Sequence, residues 1–511
     1  MFRKLILCLT SALLFILSWP PHGFPILIFL AFVPLFFILD NTQLSKRLKV
    51  AFTFLVFVLW NTATTYWIVH ASLFGAVMAI TVNSLLMTSV ILLFLVVKSK
   101  FNDRRAWWAL LSFWLSFEYV HFNWDLSWPW LTLGNVFSHY PNIIQWYEFT
   151  GVLGGSLWVI LINILLYTSF KQKQLARAVV PLIIVPLLVN LFIDSESNGE
   201  TVNIVVVQPN VDPYYEKFDA ISSAQQMNKF IDLAKTKLDS TTDYLIGPET
   251  AIVDGIWENN IENATEVKML RNLIDSFPNV NIIVGASTYK AYTKDEKISS
   301  TARKFNGSDT YYDVYNSALH ITRTSIDIYH KSKLVQGVEF TPFSFLLDQF
   351  EFLTIDLGGI SGSLGTQSYR SVFSSHSAKI APIICYESVF GEYTSNYVKN
   401  GANMFAIITN DGWWKDTPGY QQHLHYASLR AIECRRPIAR SANTGISAFI
   451  DKNGQINSRT NWDEEKAISY SLTSNDTLTF FVRYGDYIGR ISSFVAIMFI
   501  LFSLARRKDT Y

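Results

Sequence analysis

A glutamate, a lysine and a cysteine each stand where a short apolar run gives way to a polar turn. Glu249 follows Leu245-Ile246-Gly247-Pro248, Lys331 follows Ile328-Tyr329-His330, and Cys385 follows Ala381-Pro382-Ile383-Ile384. Chemistry in α/β sheets gathers at the carboxyl ends of strands, so the three side chains can converge. Their types suit acyl transfer. A thiol becomes a strong nucleophile once a base takes its proton. Glu249 can take that proton and return it to a leaving group. Lys331 can set a fixed positive charge where an oxyanion develops, and the backbone N–H of Tyr386 can be a second donor; losing one such donor typically costs about 10²–10³ in rate. The residues alone leave a second reading open, because a lone cysteine in an apolar run is more often an inert buried thiol.

Short β-branched runs supply these strand ends. They fall at 202–207, Tyr244–Ile246, 281–284, Lys379–Ile384, 404–408, 437–441 and 447–451. Runs 317–322 and 324–329 read as a hairpin pair, and Lys452-Asn453-Gly454 as a turn. Helical patterns at 222–238 and 268–276 lie between some of them. Strands alternating with helices predict an α/β domain, and the hairpin pairs predict a mixed sheet in a two-layer sandwich flanked by helices. Segment 345–375 is less regular, and Gly358-Gly359-Ile360-Ser361-Gly362-Ser363 within it predicts a mobile loop.

The rest of the chain is built for a different solvent. Its 511 residues are 50% hydrophobic and only 16% charged; an ordinary soluble protein carries about 25% charged residues. The pattern divides into a transmembrane domain of about seven helices at 1–194, an extracytoplasmic domain at 195–485, and a closing transmembrane helix with a cytoplasmic tail at 486–511. Candidate spans lie at 5–19, 24–39, 50–69, 72–97, 106–120, 151–170, 178–193 and 488–504. The first resembles a signal peptide, but Trp19-Pro20-Pro21-His22-Gly23 is no small-residue cleavage site, so it reads as a retained helix. Basic clusters at Arg3/Lys4, Lys46/Arg47/Lys49, Lys98/Lys100/Arg104/Arg105, Lys171/Lys173/Arg177 and Arg506/Arg507/Lys508 fall at alternate span ends. By the positive-inside rule both termini are cytoplasmic and 195–485 is outside, which fits about eight spans. The tryptophan-rich connection 121–150 reads either as an interfacial aromatic belt or as a loop packed on the outer domain, and Glu118 is expected at the interface or in a polar cavity. A net charge of +1 argues against a nucleic-acid partner. Cys8, Cys385 and Cys434 cannot make a disulfide framework; Cys8 and Cys434 read as structural.

The order Glu249, Lys331, Cys385 resembles the nitrilase superfamily (carbon–nitrogen hydrolases). It sits in Gly247-Pro248-Glu249-Thr250, Tyr329-His330-Lys331-Ser332-Lys333-Leu334-Val335 and Ile384-Cys385-Tyr386-Glu387. Asn410-Asp411-Gly412-Trp413, the stretch from His423 to Pro437, and Asn443-Thr444-Gly445 resemble the same family. The multi-span amino-terminal part, the single closing helix, Trp128-Pro129-Trp130-Leu131 and Glu339-Phe340-Thr341-Pro342 are similar to its membrane-bound branch, the apolipoprotein N-acyltransferases. The resemblance covers essentially the whole chain. It implies an α-β-β-α sandwich at 195–485 beside the helical membrane domain, and a triad with Glu249 as base, Lys331 as oxyanion stabiliser and Cys385 as nucleophile. Lys333 is a rival, but the family places its lysine three residues before Leu-Val, which fits Lys331. The resemblance gives Glu339 and Glu387 supporting roles beside the lysine and the active-site loop, and sets Tyr386 and Trp413 near the acyl or lipid site; the plain alternatives are salt-bridge carboxylates and core aromatics. One departure stands out: Gln336-Gly337-Val338-Glu339 replaces the family's Pro-Phe-Gly-Glu, which alters the turn leading to Glu339.

The implied activity is transfer of a fatty acyl chain from a membrane phospholipid to the amino-terminal amine of the diacylglyceryl-cysteine of an apolipoprotein. The route is a ping-pong reaction through a Cys385 thioester, as the last step of bacterial lipoprotein maturation, on the periplasmic side of the inner membrane. The implied partners are the phospholipid donor, the apolipoprotein acceptor and the bilayer. A monomer is the default expectation, with no cofactor. Phe340, Phe343, Trp413 and Trp414 are candidates to line a membrane-facing mouth. No metal is expected, since His423 and His425 lie two apart rather than at the four-residue spacing of a helical ligand pair. A membrane-tethered amidase is the rival enzyme, though about seven spans are excessive for a tether. A catalytically dead lipid-binding module is the other rival, against which the intact Glu249/Lys331/Cys385 set argues.

Overall fold

The computed structural model describes residues 1–173, 179–193, 198–218, 220–340, 342 and 363–505. The loop expected at 358–363 lies outside the described residues except for Ser363, as do Phe343, Arg177, Arg506, Arg507 and Lys508. The chain divides into two compact units, Met1–Asp194 with Tyr484–Tyr511, and Ser195–Arg483.

The first unit is helical. Among the described residues, four helices are long and apolar enough to cross a membrane: Lys46–Thr65, Leu73–Lys98, Tyr147–Gln172 and Tyr487–Ala505. The other expected spans are helical but fall short on length or composition. Phe2–Ser18 has 17 residues. The run at 24–39 breaks into Pro25–Leu27, Ile28–Ala31 and Val33–Leu39. Asp103–His121 carries charge at its start and Glu118 within, and Val179–Val189 contains Pro186. Length and apolarity therefore support four spans, not clearly the expected eight. The broken run is mended by a side chain. Asn163 accepts from Phe32 N at 2.9 Å and donates to Ile28 O at 2.9 Å, satisfying backbone groups that lipid cannot serve. Glu118 is buried, accepting from Trp114 Nε1 and Leu133 N, each at 2.9 Å. Trp130 is buried too, with Trp67 and Trp128 rings against it, so this part of the aromatic connection packs into its own unit rather than forming an interfacial belt.

The second unit holds two sheets. The strands of the first are β1 (Thr201–Gln208), β2 (Tyr244–Ile246), β3 (Ile252–Trp257), β4 (Asn281–Ala291), β5 (Arg303–Lys304), β6 (Tyr311–Ile321), β7 (Ile326–His330) and, later in the chain, β14 (Lys466–Thr473). Its order is β14-β1-β2-β4-β6-β5, with β3 on β4 and β7 on β6. The strands of the second are β8 (Phe373–Ser374), β9 (Lys379–Ile384), β10 (Met404–Thr409), β11 (Ile438–Ala442), β12 (Ala448–Ile450) and β13 (Ile456–Arg459), in the order β13-β12-β11-β10-β9-β8. Strand periodicity divides the cores. Val202, Ile204 and Val206 of β1 join Ile384, Ala406 and Ile408 between the sheets, while Val205 and Val207 face Phe230 and Leu270 of helices Ser223–Lys235 and Thr265–Ser276. Helices Gly391–Lys399 and Pro418–Cys434 pack on the second sheet through Tyr397, Val398, Leu424 and Ala431. The layering is helices, sheet, sheet, helices.

Strand direction places the site. β2 runs parallel to β4, β4 antiparallel to β6, and β6 antiparallel to β7, so β2 and β7 end at the same edge. β4 continues past the expected end at Val284 because β6 pairs with it as far as Ala291. Gly285 N donates to Pro248 O at 3.0 Å, holding the turn before Glu249. A Cβ at Gly285 would lie 2.5 Å from Thr250 N and 2.7 Å from Glu249 Cα. Backbone cannot step aside as a flexible side chain can, so Gly285→Ala is expected to destabilise the fold by about 1–3 kcal/mol. Its melting transition should drop by several degrees, while Gly307→Ala, at an open surface turn, should have the smaller effect.

Candidate active site

Glu249 is three residues beyond β2, next to Thr250 in the left-handed region at φ +52°. Lys331 leaves the end of β7, its N–H donating to Asn316 O at 2.8 Å on the neighbouring strand. Its ammonium bridges two carboxylates, donating to Glu249 Oε1 at 3.0 Å and to Glu339 Oε1 at 2.8 Å. Asn316 Nδ2 serves the same two oxygens, at 2.8 and 3.0 Å. Lys331 is only 1% exposed, and both carboxylates are buried as well. Burying a lone charge is very costly, and such charges persist only paired and hydrogen-bonded. Here burial alone would raise the Glu249 carboxyl, but Lys331, then Asn316 and Lys217, hold it below its ordinary value of 4.5. Burial likewise works against the Lys331 cation, and Glu249 with Glu339 overcomes it, holding the ammonium well above its ordinary range.

The turn to Glu339 is made without the family's Pro-Phe-Gly. Gly337 takes φ +77°, its N–H reaches Phe340 O at 2.8 Å, and Glu339 Oε2 accepts from Val335 N at 2.8 Å. Lys333 goes elsewhere, its ammonium 4.7 Å over the Phe390 ring. Lys331 is thus the lysine that meets Glu249.

Cys385 follows β9 directly and opens the 3₁₀ turn Cys385–Val389. Its φ of +49° is uncommon for a residue with a side chain and persists only where the surroundings impose it. Glu387 imposes it. This fully buried carboxylate accepts from Ile384 N at 2.9 Å, just before the cysteine, and from Ser332 N at 2.7 Å, just after the lysine. Tyr329 and Tyr393 hydroxyls complete it, each at 2.6 Å. Glu387 therefore ties the Cys385 turn of one sheet to the Lys331 turn of the other. Burial raises its carboxyl above 4.5 despite these donors.

The Cys385 thiol is pushed far above its ordinary value of 9.0, first by burial, then by the Glu249 charge, with Lys331 pulling the other way. The resting state pairs a neutral thiol with an ionised carboxylate. Were Sγ to attack a substrate, its proton would have to leave in the same step, and the nearby Glu249 carboxylate could accept it.

Tyr386 is buried, edge-on to Phe390 at 5.1 Å. Trp413 is half-buried among the Phe218 and Tyr214 rings, and its carbonyl accepts from Tyr214 OH at 2.7 Å. Two site groups had no legible sequence signal. Asn316 is a polar residue inside a strand. Lys217, buried, donates to Glu249 O at 3.0 Å, and burial draws its ammonium down to about 8. Asp411 and His423 lie in quoted motifs, yet their joint position behind Cys385 could not be read from them.

Two measurements follow from the charges. With Glu249 held below 4.5, the acid limb of any Cys385-dependent acylation should fall below pH 4.5, with no loss between pH 5 and 7. Iodoacetamide should modify Cys385 at pH 8 at least about tenfold more slowly than it modifies a simple free thiol. Lys331→Met should slow that alkylation further, since the Glu249 charge would then act on the thiol without the ammonium. Peptide mass spectrometry reads both; alkylation unchanged or faster in Lys331→Met would contradict the assigned charges.

The description "Carbon-nitrogen hydrolase" matches residues 203–478, and "Apolipoprotein N-acyltransferase N-terminal domain" matches residues 11–165. An apolipoprotein N-acyltransferase of Chlorobaculum tepidum is 26% identical, the match covering 96% of this chain and 94% of its own length. Apolipoprotein N-acyltransferase 1 of Treponema denticola is 24% identical over 99% of this chain and 97% of its own. Among solved structures, a CN-hydrolase superfamily protein of Xanthomonas campestris is 17% identical with a TM-score of 0.37, covering 53% of this chain and 91% of its own. A glutamate–lysine pair and a strained cysteine at the strand ends of a two-sheet sandwich thus occur in a chain that both family descriptions match in sequence, and the chain belongs to the carbon–nitrogen hydrolase family, in its apolipoprotein N-acyltransferase branch.

Proposed function

We propose that this chain transfers a fatty acyl group to the amino terminus of lipoproteins, with Cys385 as the acyl carrier. The observation that carries the reading is the buried Lys331 ammonium shared by Glu249 and Glu339 beside a thiol on a strained turn. Cys385 Sγ attacks the ester carbonyl of a membrane phospholipid, at sn-1. Glu249 takes the thiol proton as the S–C bond forms. Lys331 and the Tyr386 N–H stabilise the tetrahedral oxyanion. The C–O bond then breaks, and Glu249 returns the proton to the departing lysophospholipid oxygen. In the second half, the amine of a diacylglyceryl-cysteine attacks the thioester; the C–S bond breaks and Glu249 passes the amine proton to sulfur. This is a ping-pong sequence in which one carboxylate acts as base and acid in turn.

The membrane setting belongs to the same proposal. About eight helices hold the chain in a bacterial inner membrane, counting Phe2–Ser18, Pro25–Leu39, Asp103–His121 and Val179–Phe192 with the four long ones. The basic clusters support cytoplasmic termini and a periplasmic catalytic domain. Phe340, Trp413 and Trp414, each partly exposed, suit an acyl chain and keep water from the thioester. The acceptor chemistry places the reaction last in lipoprotein maturation.

The purified full-length chain in phospholipid vesicles, given a diacylglyceryl-cysteine peptide, should add one fatty acyl mass to the peptide's amine. A peptide with an acetylated amine should gain nothing, and Cys385→Ser should abolish transfer. N-acylation undiminished in Cys385→Ser would overturn the reading. Free fatty acid without N-acyl peptide would make the chain a hydrolase.

A further inference from the structure

The carbonyl of Cys385 and the N–H of Tyr386 are the two ends of one peptide unit, and two buried side chains grip its carbonyl end. Ser388 Oγ donates to Cys385 O at 2.7 Å. His423 Nε2 lies 3.3 Å from the same oxygen and 3.0 Å from Ser388 Oγ. A hydroxyl has one proton. With that proton on the carbonyl, Ser388 Oγ can only accept from the ring, so Nε2 carries a hydrogen. The other ring nitrogen, Nδ1, lies 2.9 Å from Asp411 Oδ1. Arg440 Nη2 holds Asp411 Oδ2 at 2.6 Å, and Thr409 Oγ1 donates to Oδ1 at 2.8 Å. Nε2 is therefore the donor toward the cysteine carbonyl, while Nδ1 sits between Asp411 Oδ1 at 2.9 Å and Arg440 Nη2 at 3.2 Å. Ser388, Asp411, His423 and Arg440 are at most 1% exposed. This buried polar chain is held by the charge-assisted bond from Arg440 to Asp411. It ends on the nucleophile's own backbone.

We infer that Ser388 and His423 are positioning residues for the oxyanion site: they fix and polarise the Cys385–Tyr386 peptide so that its N–H is aimed at, and strengthened for, the developing oxyanion. The inference rests on the acyl-transfer reading above. Its physical basis is resonance. The peptide is planar and conjugated, so donors at its oxygen draw density from nitrogen and make the N–H a better donor; such cooperativity strengthens a hydrogen bond by about 10–30%. Orientation matters as much. An oxyanion donor acts at about 2.7–3.1 Å, and a peptide plane beginning at φ +49° would tilt away without a fixed point on its carbonyl.

Two reactions of the same thiol separate this role from a merely structural one. Acylation by phospholipid passes through a tetrahedral oxyanion. Alkylation by iodoacetamide displaces iodide in one step and forms none. With the full-length protein, Ser388→Ala should slow single-turnover acylation of Cys385 by about tenfold or more while alkylation keeps its wild-type rate. Ser388→Thr, which keeps the hydroxyl, should restore acylation. His423→Gln, which keeps a donor near Nε2, should acylate faster than His423→Phe; if the His423 variants fail to fold, the Ser388 pair decides alone. Equal slowing of both reactions by Ser388→Ala, or no slowing of acylation, would overturn the inference. A wild-type protein that alkylates but never acylates would instead remove the acyl-transfer reading, and this inference with it.

Discussion

Lys331 donates to Glu249 at 3.0 Å and to Glu339 at 2.8 Å within a buried cluster. Removing the ammonium would leave two carboxylates buried side by side; removing either carboxylate would leave the other to balance the charge alone. Losing one partner of a buried pair typically costs about 3–5 kcal/mol. The surrounding geometry serves this group. Asn316 spans both carboxylates from β6, and the Gly337 turn brings Glu339 back to 2.8 Å from the lysine ammonium. The arrangement also decides the chemistry. A thiol facing an ionised carboxylate is held neutral, while the nearby ammonium is ready for negative charge that appears only during reaction. Such a site favours the transition state over the resting state.

Two devices bring Cys385 and Glu249 to that cation. Glu387 bonds the backbone on either side of the gap, at Ile384 and Ser332, so the two sheets share one buried acceptor at their ends. Gly285 lets β4 pass against the backbone of the Glu249 turn. Neither need touch substrate. Both turn strand direction, which is a property of the whole sheet, into side-chain placement at the ångström scale.

Much of this was legible in the residues. Tyr244–Ile246 and Lys379–Ile384 are apolar runs cut off by Gly-Pro and by a polar turn, and both strands have the bounds expected of them. Helix 222–238 starts where Ser222 and Gln225 form a capping box and ends three residues early, at Lys235. The shortfalls have physical causes. β14 went unread because Lys466–Thr473 interleaves Ser and Tyr on an edge whose partner, β1, lies far away in sequence. The apolar run at 24–39 looked like one span, but its helix breaks near Phe32, and the side chain that makes the break tolerable, Asn163, is far along the chain. Lys217 and Asn316 carry no local pattern, since their meaning comes from tertiary partners. The grip of Ser388 and His423 on the Cys385 carbonyl has the same origin.

The central claim is that Cys385, neutral at rest, carries the acyl chain covalently for part of the cycle. Intact-mass and peptide mass spectrometry of the full-length protein, incubated with phospholipid and no acceptor, tests it most directly. The account predicts one fatty acyl mass on the Cys385 peptide, removed by neutral hydroxylamine as a thioester would be, and absent from Glu249→Gln and Lys331→Met despite an intact thiol. An acyl mass on another residue, an adduct stable to hydroxylamine, or wild-type acylation of Cys385 in the Lys331→Met protein would contradict it.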